Sequence, residues 1–379
     1  MSRAAKSKQA AVDAKWMDRA LVLARRGEAL ASPNPVVGAV LVRNGRAVGE
    51  GFHTYQGVKH AEIIALERAG SKSRGATLYI NLEPCSHHGR TGPCTKALIA
   101  AGVRRVAAAM RDPNPKVAGG GFRQLRAAGI KVEIGLRQRE AKELNEGFAR
   151  WVTARLPFVT LKSAVTLDGA IAWAPRARKK SRRWITSRES RVEVQEMRHA
   201  SDAVLTGIGT VLADNPLLTD RTGRPRRRPL LRAILDSRLR LPVRSNLVRS
   251  SKNDLLVFTT ANSDSPKAKK LQKLGVQLMR IPCAADGLNI HAVLRELARR
   301  EILSVMIEAG TAVNSSALLA RIVDKLVIFG TEKVAGPGGK PWAEKRVAEK
   351  VGKLSALRIQ HIGPDYCYTG YLRDVYRNY

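Results

Sequence analysis

His60-Ala61-Glu62, followed by Glu83-Pro84-Cys85 and Pro93-Cys94, is the stretch that decides the first half of this 379-residue chain. Imidazole and thiolate are good zinc ligands, and a site with three protein ligands keeps a fourth coordination position open for water. Zinc lowers the pKa of bound water to about 7, so hydroxide forms without a strong base. Glu62 lies close enough to His60 to move the released proton. The set therefore predicts a catalytic zinc site.

The surrounding residues predict where each ligand lies. Residues 76–82 have the pattern of a buried strand that Pro84 ends, and residues 95–102 have that of a helix with a glycine stop. A second helix is predicted over Ala61–Ala69. Cys94 is then expected at a helix start, where the helix dipole lowers a thiol's pKa. The alternative is two buried thiols and a surface histidine, but these side chains all fall at the ends of elements.

The loop between the cysteines identifies a family. It has eight residues, 86–93, where the commonest zinc deaminase pattern has two. "HAE" followed by "EPCSHHGRTGPC" resembles the amino-terminal half of the bifunctional deaminase/reductase family of riboflavin biosynthesis, and "SPNPVVGAVLV" and "DPNPKVAGGG" fit it too. The resemblance implies zinc on His60, Cys85 and Cys94, Glu62 as the catalytic proton carrier, and a free pyrimidine nucleotide as substrate. His87 and His88 are additional ligand types, but a polar loop of this kind more often contacts substrate.

The length of the chain predicts a second domain. A helical pattern over 140–151 is broken at 153–157, so we predict domains at 1–150 and 151–379. Beyond the boundary, short apolar runs alternate with helical patterns, which favours a mainly parallel sheet covered by helices. The predicted strands are 158–165, 203–206, 231–235, 255–258, 303–307 and 326–329, and the predicted helices are 188–200, 290–300 and 315–321.

Strand ends in the second half offer a place for a cofactor. No Gly-x-Gly-x-x-Gly follows the first strand, so a Rossmann site is not indicated. Three segments run from the end of a predicted strand into turn-forming residues: 206–210, 236–237 and 308–315. Ligands commonly bind at the carboxyl ends of strands in such sheets. The last segment would present backbone amides at a helix start, which can hold phosphate. Turns of this kind are mostly structural, so the pattern alone leaves both interpretations open.

Five stretches of the second half resemble, in order, the reductase half of the same family. They are "LKSAVTLDGAIA", "WITS", "TGIGTVLADNPLLT", "ILDS" and "IEAGTAVNSSAL". The resemblance implies a cytidine-deaminase-like three-layer α/β/α domain followed by a dihydrofolate-reductase-like α/β domain. The NADPH contacts it implies are Ala164, Trp184, Thr210, Asp214, Ser237, Gly310, Thr311, Ala312, Val313, Asn314, Ser315 and Ser316. The substrate contacts it implies are Arg182, Arg198, Leu218, Arg221 and Glu308. Without the family, Arg198 would be interpreted as a solvated helix residue and Asp214 as a turn residue.

The resemblance also implies the chemistry. Zinc-bound hydroxide would replace the 2-amino group of a diaminopyrimidinone ribosylamino phosphate, with Glu62 supplying the proton for ammonia. NADPH would then reduce the ribosyl group to ribityl, giving 5-amino-6-ribitylamino-uracil phosphate. Association through the second domain, hence a homo-oligomer, is implied as well. One departure is the long basic stretch 174–183, which either favours the cofactor's extra phosphate or is a solvated loop.

The net charge of +35, from 67 basic and 32 acidic residues, raises a second hypothesis, a nucleic-acid protein. Aromatic residues make up only 5% and form no stripe on which single strands could stack, so a specific nucleic-acid partner is not expected. No apolar run has the length of a membrane span, and the first fifteen residues lack the apolar segment of a secretory signal. With four cysteines and no pairing pattern, we expect a reducing cytoplasm.

Overall fold

The computed structural model describes residues 3–174, 184–284, 287–347 and 349–377. Two compact units make up the chain. The N-terminal unit contains Met1–Arg155 together with Pro225–Arg228 and Tyr376–Tyr379, and the C-terminal unit contains Leu156–Arg224 and Pro229–Val375. Arg182 and most of the basic stretch 174–183 lie outside the described residues.

The N-terminal unit is a five-stranded sheet with the order β2-β1-β3-β4-β5 and helices on both faces. Strand β1 is antiparallel to both its neighbours, whereas β3, β4 and β5 are parallel. Its elements are α1 (Arg3–Arg25), β1 (Gly38–Arg43), β2 (Arg46–Phe52), α2 (Ala61–Ala69), β3 (Thr77–Ile80), α3 (Cys94–Ala100), β4 (Arg105–Ala108), α4 (Gly120–Ala127), β5 (Lys131–Ile134), α5 (Gln138–Leu144) and α6 (Glu146–Ala154).

Glycines let two helices approach opposite faces of this sheet. A Cβ on Gly38 would lie 2.2 Å from the carbonyl oxygen of Ala20 in α1, and one on Gly49 would lie 2.0 Å from that of Ala65 in α2. Gly49 pairs with Leu41 across the sheet, and Leu41 faces the side opposite to Gly38 because the strand alternates. Since only glycine fits these contacts, the α/β/α layering depends on them.

The C-terminal unit is a nine-stranded sheet with the order β11-β10-β9-β8-β14-β6-β15-β18-β17. The strands from β11 to β15 are parallel, and β18 and β17 continue the sheet as an antiparallel hairpin. Its strands are β6 (Phe158–Val165), β7 (Ala170–Ala172), β8 (Ala203–Gly207), β9 (Leu231–Leu235), β10 (Leu255–Thr259), β11 (Val276–Arg280), β12 (Cys283–Ala284), β13 (Gly287–Leu288), β14 (Ser304–Ile307), β15 (Lys325–Gly330), β16 (Lys340–Pro341), β17 (Ser355–Ile362) and β18 (Asp365–Tyr371). Its helices are α7 (Arg188–Ala200), α8 (Ile208–Asp214), α9 (Asn246–Arg249), α10 (Pro266–Lys273), α11 (Ile290–Arg299) and α12 (Thr311–Leu319).

Alternation along the central strands gives this unit a core on each face of the sheet. In β14, Val305 and Ile307 join one buried cluster, and Met306, between them, joins the other. Strand β8 divides in the same way, with Leu205 in the first cluster and Val204 in the second. A central parallel strand buried on both faces has few polar positions, which is why its apolar run was recognisable in the sequence.

Most elements predicted in the second half are confirmed, three of them with the predicted bounds: β6, β9 and α7. The single helix predicted over 140–151 is wrong, because the chain forms α5 and α6 with Asn145 between them. The Asn145 side chain accepts a hydrogen bond from the Val36 N–H (2.8 Å) and donates one to the Val36 carbonyl (3.1 Å). A tertiary contact of this kind has no periodic signature.

Helix α12 begins at Thr311, earlier than the predicted start at residue 315, because Gly310 takes the N-cap position. The hairpin β17–β18 was not predicted, since β17 exposes most of its residues and lacks an apolar run. Across the described residues, no helix combines the length and the apolar character needed to span a membrane.

Candidate functional site

The three predicted metal ligands meet at one point of the N-terminal unit. His60 is the N-cap residue of α2, Cys85 follows the end of β3, and Cys94 is the first residue of α3. The His60 Nδ1 atom lies 3.5 Å from the Cys85 Sγ and 3.3 Å from the Cys94 Sγ. All three ligand atoms lie within 4.8 Å of one another. The fold thus brings His60 and Cys94 together although they are 34 positions apart in the sequence.

The pKa values of the two thiols shift in opposite directions, which indicates that the cluster favours a bound cation. The Cys94 and His60 hydrogen bonds lower the pKa of Cys85 to about 4, whereas the neighbouring Cys85 sulfur and burial raise the pKa of Cys94 above its ordinary range. The Cys94 backbone N–H also donates to the Cys85 Sγ, at 3.3 Å. The sulfurs are too close for both to ionise unaided. A divalent cation removes that repulsion, and one nitrogen with two sulfurs is a donor set that zinc prefers.

Glu62 lies in the first turn of α2 and is buried, with 3% of its surface exposed. Burial, together with a smaller contribution from the nearby Cys85, raises the pKa of this carboxyl to about 7. The protonation of Glu62 is coupled electrostatically to His60, Cys85 and Cys94, so the carboxyl lies beside the ligand cluster. A carboxyl that exchanges its proton near neutral pH suits general acid and base catalysis.

His53, which the sequence reasoning missed, packs against His60, one of the three predicted metal ligands. The two rings pack edge to face with their centroids 5.4 Å apart. The His53 Nδ1 lies 2.9 Å from the Lys59 carbonyl oxygen and its Nε2 lies 2.9 Å from the Asn34 Nδ2. An imidazole that donates to a carbonyl and accepts from an amide is neutral, which agrees with the lowering of the pKa of His53 by burial. Asn34 stands in the quoted "SPNP" stretch, but nothing in the spacing pointed to His53.

The loop between the cysteines lies beside the ligand cluster and does not add a ligand. His87 and His88 are exposed and stay outside the three-ligand group found in the described part of the chain. His87 borders a cavity of about 550 Å³, whose lining residues are Ser86, His87, Pro115, Lys116, Val117, Ala118, Gly120, Arg123 and Gln124. Arg90 of the same loop lies over the Tyr55 ring, 4.6 Å from its centroid.

In the C-terminal unit, the sheet brings several of the predicted NADPH residues to one edge. Ala164 lies near the carboxyl end of β6, Thr210 follows β8, Ser237 follows β9, and Gly310 follows β14. These four strands are parallel and contiguous in the order β9-β8-β14-β6. Asp214 ends α8 and is exposed, and Trp184 is 52% exposed with the Arg191 guanidinium 4.8 Å from its ring centroid.

The start of α12 is bound along one side by the segment 341–344. The Thr311 hydroxyl donates to the Pro341 carbonyl, the Asn314 Nδ2 donates to the Trp342 carbonyl at 2.8 Å, and the Glu344 N–H donates to the Ser315 Oγ at 2.8 Å. Gly310 provides no side-chain cap. The side chains of these three predicted cofactor residues are thus hydrogen-bonded to the segment 341–344. The backbone amides in the first turn of α12 are the groups that could bind a ligand.

Lys340 is a second residue that the sequence reasoning missed. A Cβ on Gly310 would lie 3.4 Å from the Lys340 Nζ and 3.9 Å from the Thr210 Oγ1. An ammonium group, a hydroxyl and the helix start therefore meet at Gly310. In the sequence, Lys340 is one basic residue after a glycine-rich turn, which carries no recognisable pattern.

Two of the predicted substrate residues form a buried ion pair. The Arg198 guanidinium donates to Glu308 through two nitrogens, at 2.6 and 3.0 Å, and its third nitrogen donates to the Thr219 carbonyl at 3.0 Å. The Lys162 Nζ lies 3.8 Å from the Glu308 Oε2. Burial opposes ionisation of Glu308, but the charges of Arg198 and Lys162 keep the pKa of Glu308 below its ordinary value. Arg198 is only 7% exposed, so the interpretation as a solvated helix residue is wrong.

The other two predicted substrate residues in the described chain differ in exposure. Leu218 is buried in a hydrophobic cluster and has a positive φ of 54°. Arg221 is exposed, and its backbone N–H donates to the Gln195 side chain at 3.0 Å. Because Arg198 is paired with Glu308, Arg221 is the better placed of the two arginines for a ligand anion.

Comparison with known proteins gives matches over nearly the whole chain. Residues 10–110 match the family described as the cytidine and deoxycytidylate deaminase zinc-binding region, and residues 157–368 match the RibD C-terminal domain. The riboflavin biosynthesis protein RibD of Aquifex aeolicus (strain VF5) is 41% identical, over 93% of this chain and 97% of that protein. RibD of Escherichia coli (strain K12) is 39% identical, over 94% and 98% respectively.

Two solved structures align with 96% of this chain, and each alignment covers 99% of the solved chain. Acinetobacter baumannii RibD has a TM-score of 0.80 at 34% identity. The diaminohydroxyphosphoribosylaminopyrimidine deaminase/5-amino-6-(5-phosphoribosylamino)uracil reductase of Thermotoga maritima has a TM-score of 0.80 at 37% identity.

Replacing one thiol of the cluster should separate metal binding from other roles of cysteine. We expect purified wild-type protein to carry zinc and Cys94→Ser to lose it, because two remaining ligands bind zinc weakly. Metal analysis after gel filtration measures this. Cys367→Ser is the matched control, since Cys367 is also a buried free thiol. Equal zinc in wild type and Cys94→Ser would refute the three-ligand site.

Proposed function

The chain belongs to the RibD family of bifunctional riboflavin-biosynthesis enzymes, and on that premise we propose which residues carry out its two reactions. It is a deaminase and a reductase, as the two family matches and its full-length relatives establish. We assign deamination to the N-terminal domain, predicted at 1–150, and reduction to the C-terminal domain, predicted at 151–379. The observation that carries the first assignment is the convergence of His60, Cys85 and Cys94 beside Glu62.

The substrate of the first reaction is the free pyrimidine nucleotide named for the Thermotoga relative, a diaminohydroxyphosphoribosylaminopyrimidine. His60, Cys85 and Cys94 hold zinc, which when bound supplies the Lewis acid that makes water nucleophilic at neutral pH. Glu62 takes a proton from the attacking water and gives one to the departing amino group. The water oxygen becomes the ring carbonyl, and the amino group leaves as ammonia. A buried carboxyl with a pKa of about 7 supports this role, since it can both accept and return the proton.

Reduction needs a bound dinucleotide and a fixed sugar. NADPH, when bound, would supply the hydride that, with a proton, converts the ribosyl group to ribityl. We propose that the turns after β6, β8, β9 and β14 and the first-turn backbone amides of α12 would hold the cofactor. The substrate lies against the pair of Arg198 and Glu308, with Arg221 near its phosphate. The paired charges give a rigid polar surface, which aligns the sugar with the cofactor.

We further propose that the protein associates through its C-terminal domain. Strand β17 is an edge of the nine-stranded sheet, and the hairpin β17–β18 exposes large apolar side chains. These are Leu357 and Ile359, each 56% exposed, and Tyr366 and Tyr368, at 40% and 39%. Because Ile359 pairs with Tyr368, these side chains form one apolar face of the hairpin, and such an exposed face is covered by a partner in stable proteins. A second copy of the chain would pack the same face of its hairpin against this one.

A cytoplasmic location is part of the proposal, because all four cysteines are free thiols and two of them are needed as metal ligands. The high positive charge does not require a nucleic-acid substrate, since the chain matches enzymes of free nucleotides over nearly its full length. We attribute to it salt-dependent adsorption of polyanions, without sequence preference.

Glu62→Gln tests the proposed proton carrier. Glutamine keeps the shape of the side chain but cannot take up the proton, so ammonia release should fall at least about 100-fold. Zinc content should stay at the wild-type level. NADPH oxidation with the already deaminated substrate should also be unchanged, which makes the second activity an internal control. Glu62→Gln with full ammonia release would exclude the role.

Lys340→Gln tests the proposed phosphate contact. Loss of a charge-assisted hydrogen bond should raise the dissociation constant of NADPH about tenfold, measured by cofactor fluorescence. Lys350→Gln is a control at another lysine of the same domain. Unchanged NADPH affinity in Lys340→Gln would remove Lys340 from the proposed cofactor site.

Ile359→Glu tests the proposed association. A charge on the exposed face of the hairpin should convert an oligomer to single chains of 41.4 kDa in light scattering. Lys353→Glu, just before the strand, controls for the change in net charge. A wild-type protein that is already a single chain would contradict the proposal.

A further inference from the structure

Glu83 is a buried carboxylate close to the metal ligands, and the reaction as described leaves it without a role. It lies two positions before Cys85 and is 5% exposed. Its two oxygens accept hydrogen bonds from backbone N–H groups that lie 29 to 39 positions further along the chain. The four donors are Asp112 N (3.1 Å), Gly119 N (2.9 Å), Gly121 N (2.9 Å) and Phe122 N (3.3 Å).

These bonds place Glu83 at the start of α4, where the helix has no cap of its own. The N-cap residue is Gly119, whose φ of 77° is left-handed and which has no side chain to bond the first amides. Two of the first amides of the helix instead donate to Glu83. The carboxylate therefore works as a cap supplied from another part of the chain.

The glycine run 119–121 fits this arrangement. A Cβ on Gly121 would lie 2.0 Å from the Pro84 carbonyl oxygen, and one on Gly120 would lie 2.8 Å from the Ser86 Oγ. Gly120 and Gly121 can thus pass against residues 83–86 only because they lack side chains. The stretch "DPNPKVAGGG" gains a physical explanation, since its ends are the points that bond to Glu83.

The segment between these bonds forms a wall of the cavity beside Cys85. Five of the residues that line the cavity of about 550 Å³ fall between 115 and 120, and two more, Ser86 and His87, directly follow Cys85. Glu83 bonds to the wall at Asp112 on one side and at Gly119 on the other. It thereby sets the position of the wall relative to Cys85, which lies two positions further along the chain.

We infer that Glu83 is a positioning residue for the deamination, which fixes the wall 112–122 at the distance from the metal ligands that the nucleotide requires. The inference rests on the deaminase function proposed above. Glu83 touches neither the reacting atoms nor the metal in this role. It acts on substrate binding through the backbone that it holds.

Glu83→Gln is the test, because glutamine has the same length but replaces one accepting oxygen with an NH2 group that faces N–H donors. We expect the KM for deamination to rise at least about tenfold, since hydrogen bonds to the carboxylate are lost. The kcat should change much less than the KM. Zinc content, the absorption spectrum of the cobalt-substituted protein and NADPH oxidation with deaminated substrate should match wild type. Glu133→Gln, a carboxylate of the same domain that pairs with Arg105, is the control.

Gly121→Ala gives a second variant that leaves the charge of Glu83 in place. Its methyl group would press on the Pro84 carbonyl and move the wall, so it should raise the KM as Glu83→Gln does. Loss of zinc or of a normal cobalt spectrum in both variants would overturn the inference in favour of a general structural role. A wild-type KM in Glu83→Gln, or a fall in kcat alone, would also overturn it. Wild-type protein that releases no ammonia would refute the proposed deaminase itself.

Discussion

Three side chains from three separate elements must hold their ligand atoms within 4.8 Å of one another, and the N-terminal unit is organised around that requirement. Each ligand stands where an element begins or ends: His60 before α2, Cys85 after β3 and Cys94 at the start of α3. The same packing buries Glu62, which gives the carboxyl its raised pKa.

Hydrogen bonds of polar side chains hold the loops around the ligand cluster in place. His53 bonds to both Asn34 and Lys59, while Asn145 bonds to the backbone of Val36. A buried polar group without a partner is costly, so each of these contacts favours one conformation of the loops it joins. The loops around the ligand cluster are consequently fixed by these side chains as well as by the backbone.

The C-terminal unit also places its candidate site where strands end and a helix begins. Its parallel strands deliver their following turns to one edge, where helix α12 presents backbone amides. The side chains of Thr311, Asn314 and Ser315 bind the segment 341–344, which brings Lys340 to the same edge. Nearby, Glu308 would be costly to bury as an ion, and Arg198 with Lys162 supplies the compensating charge.

The sequence by itself pointed to the cluster of His60, Cys85 and Cys94 that the fold brings together, to Glu62 beside it, and to the parallel strands of the second half. These rest on local patterns: residue types at element ends, and apolar runs such as β6 and β9 that are buried on both faces. Only the tertiary structure decided that Asn145 divides a helix, that Arg198 is buried against Glu308, and that His53, Lys340 and Glu83 lie at the sites. The physical reason is that these contacts join residues far apart in the chain. Hydrogen bonds and ion pairs of that kind depend on how elements pack, and they leave no periodicity or spacing in the sequence.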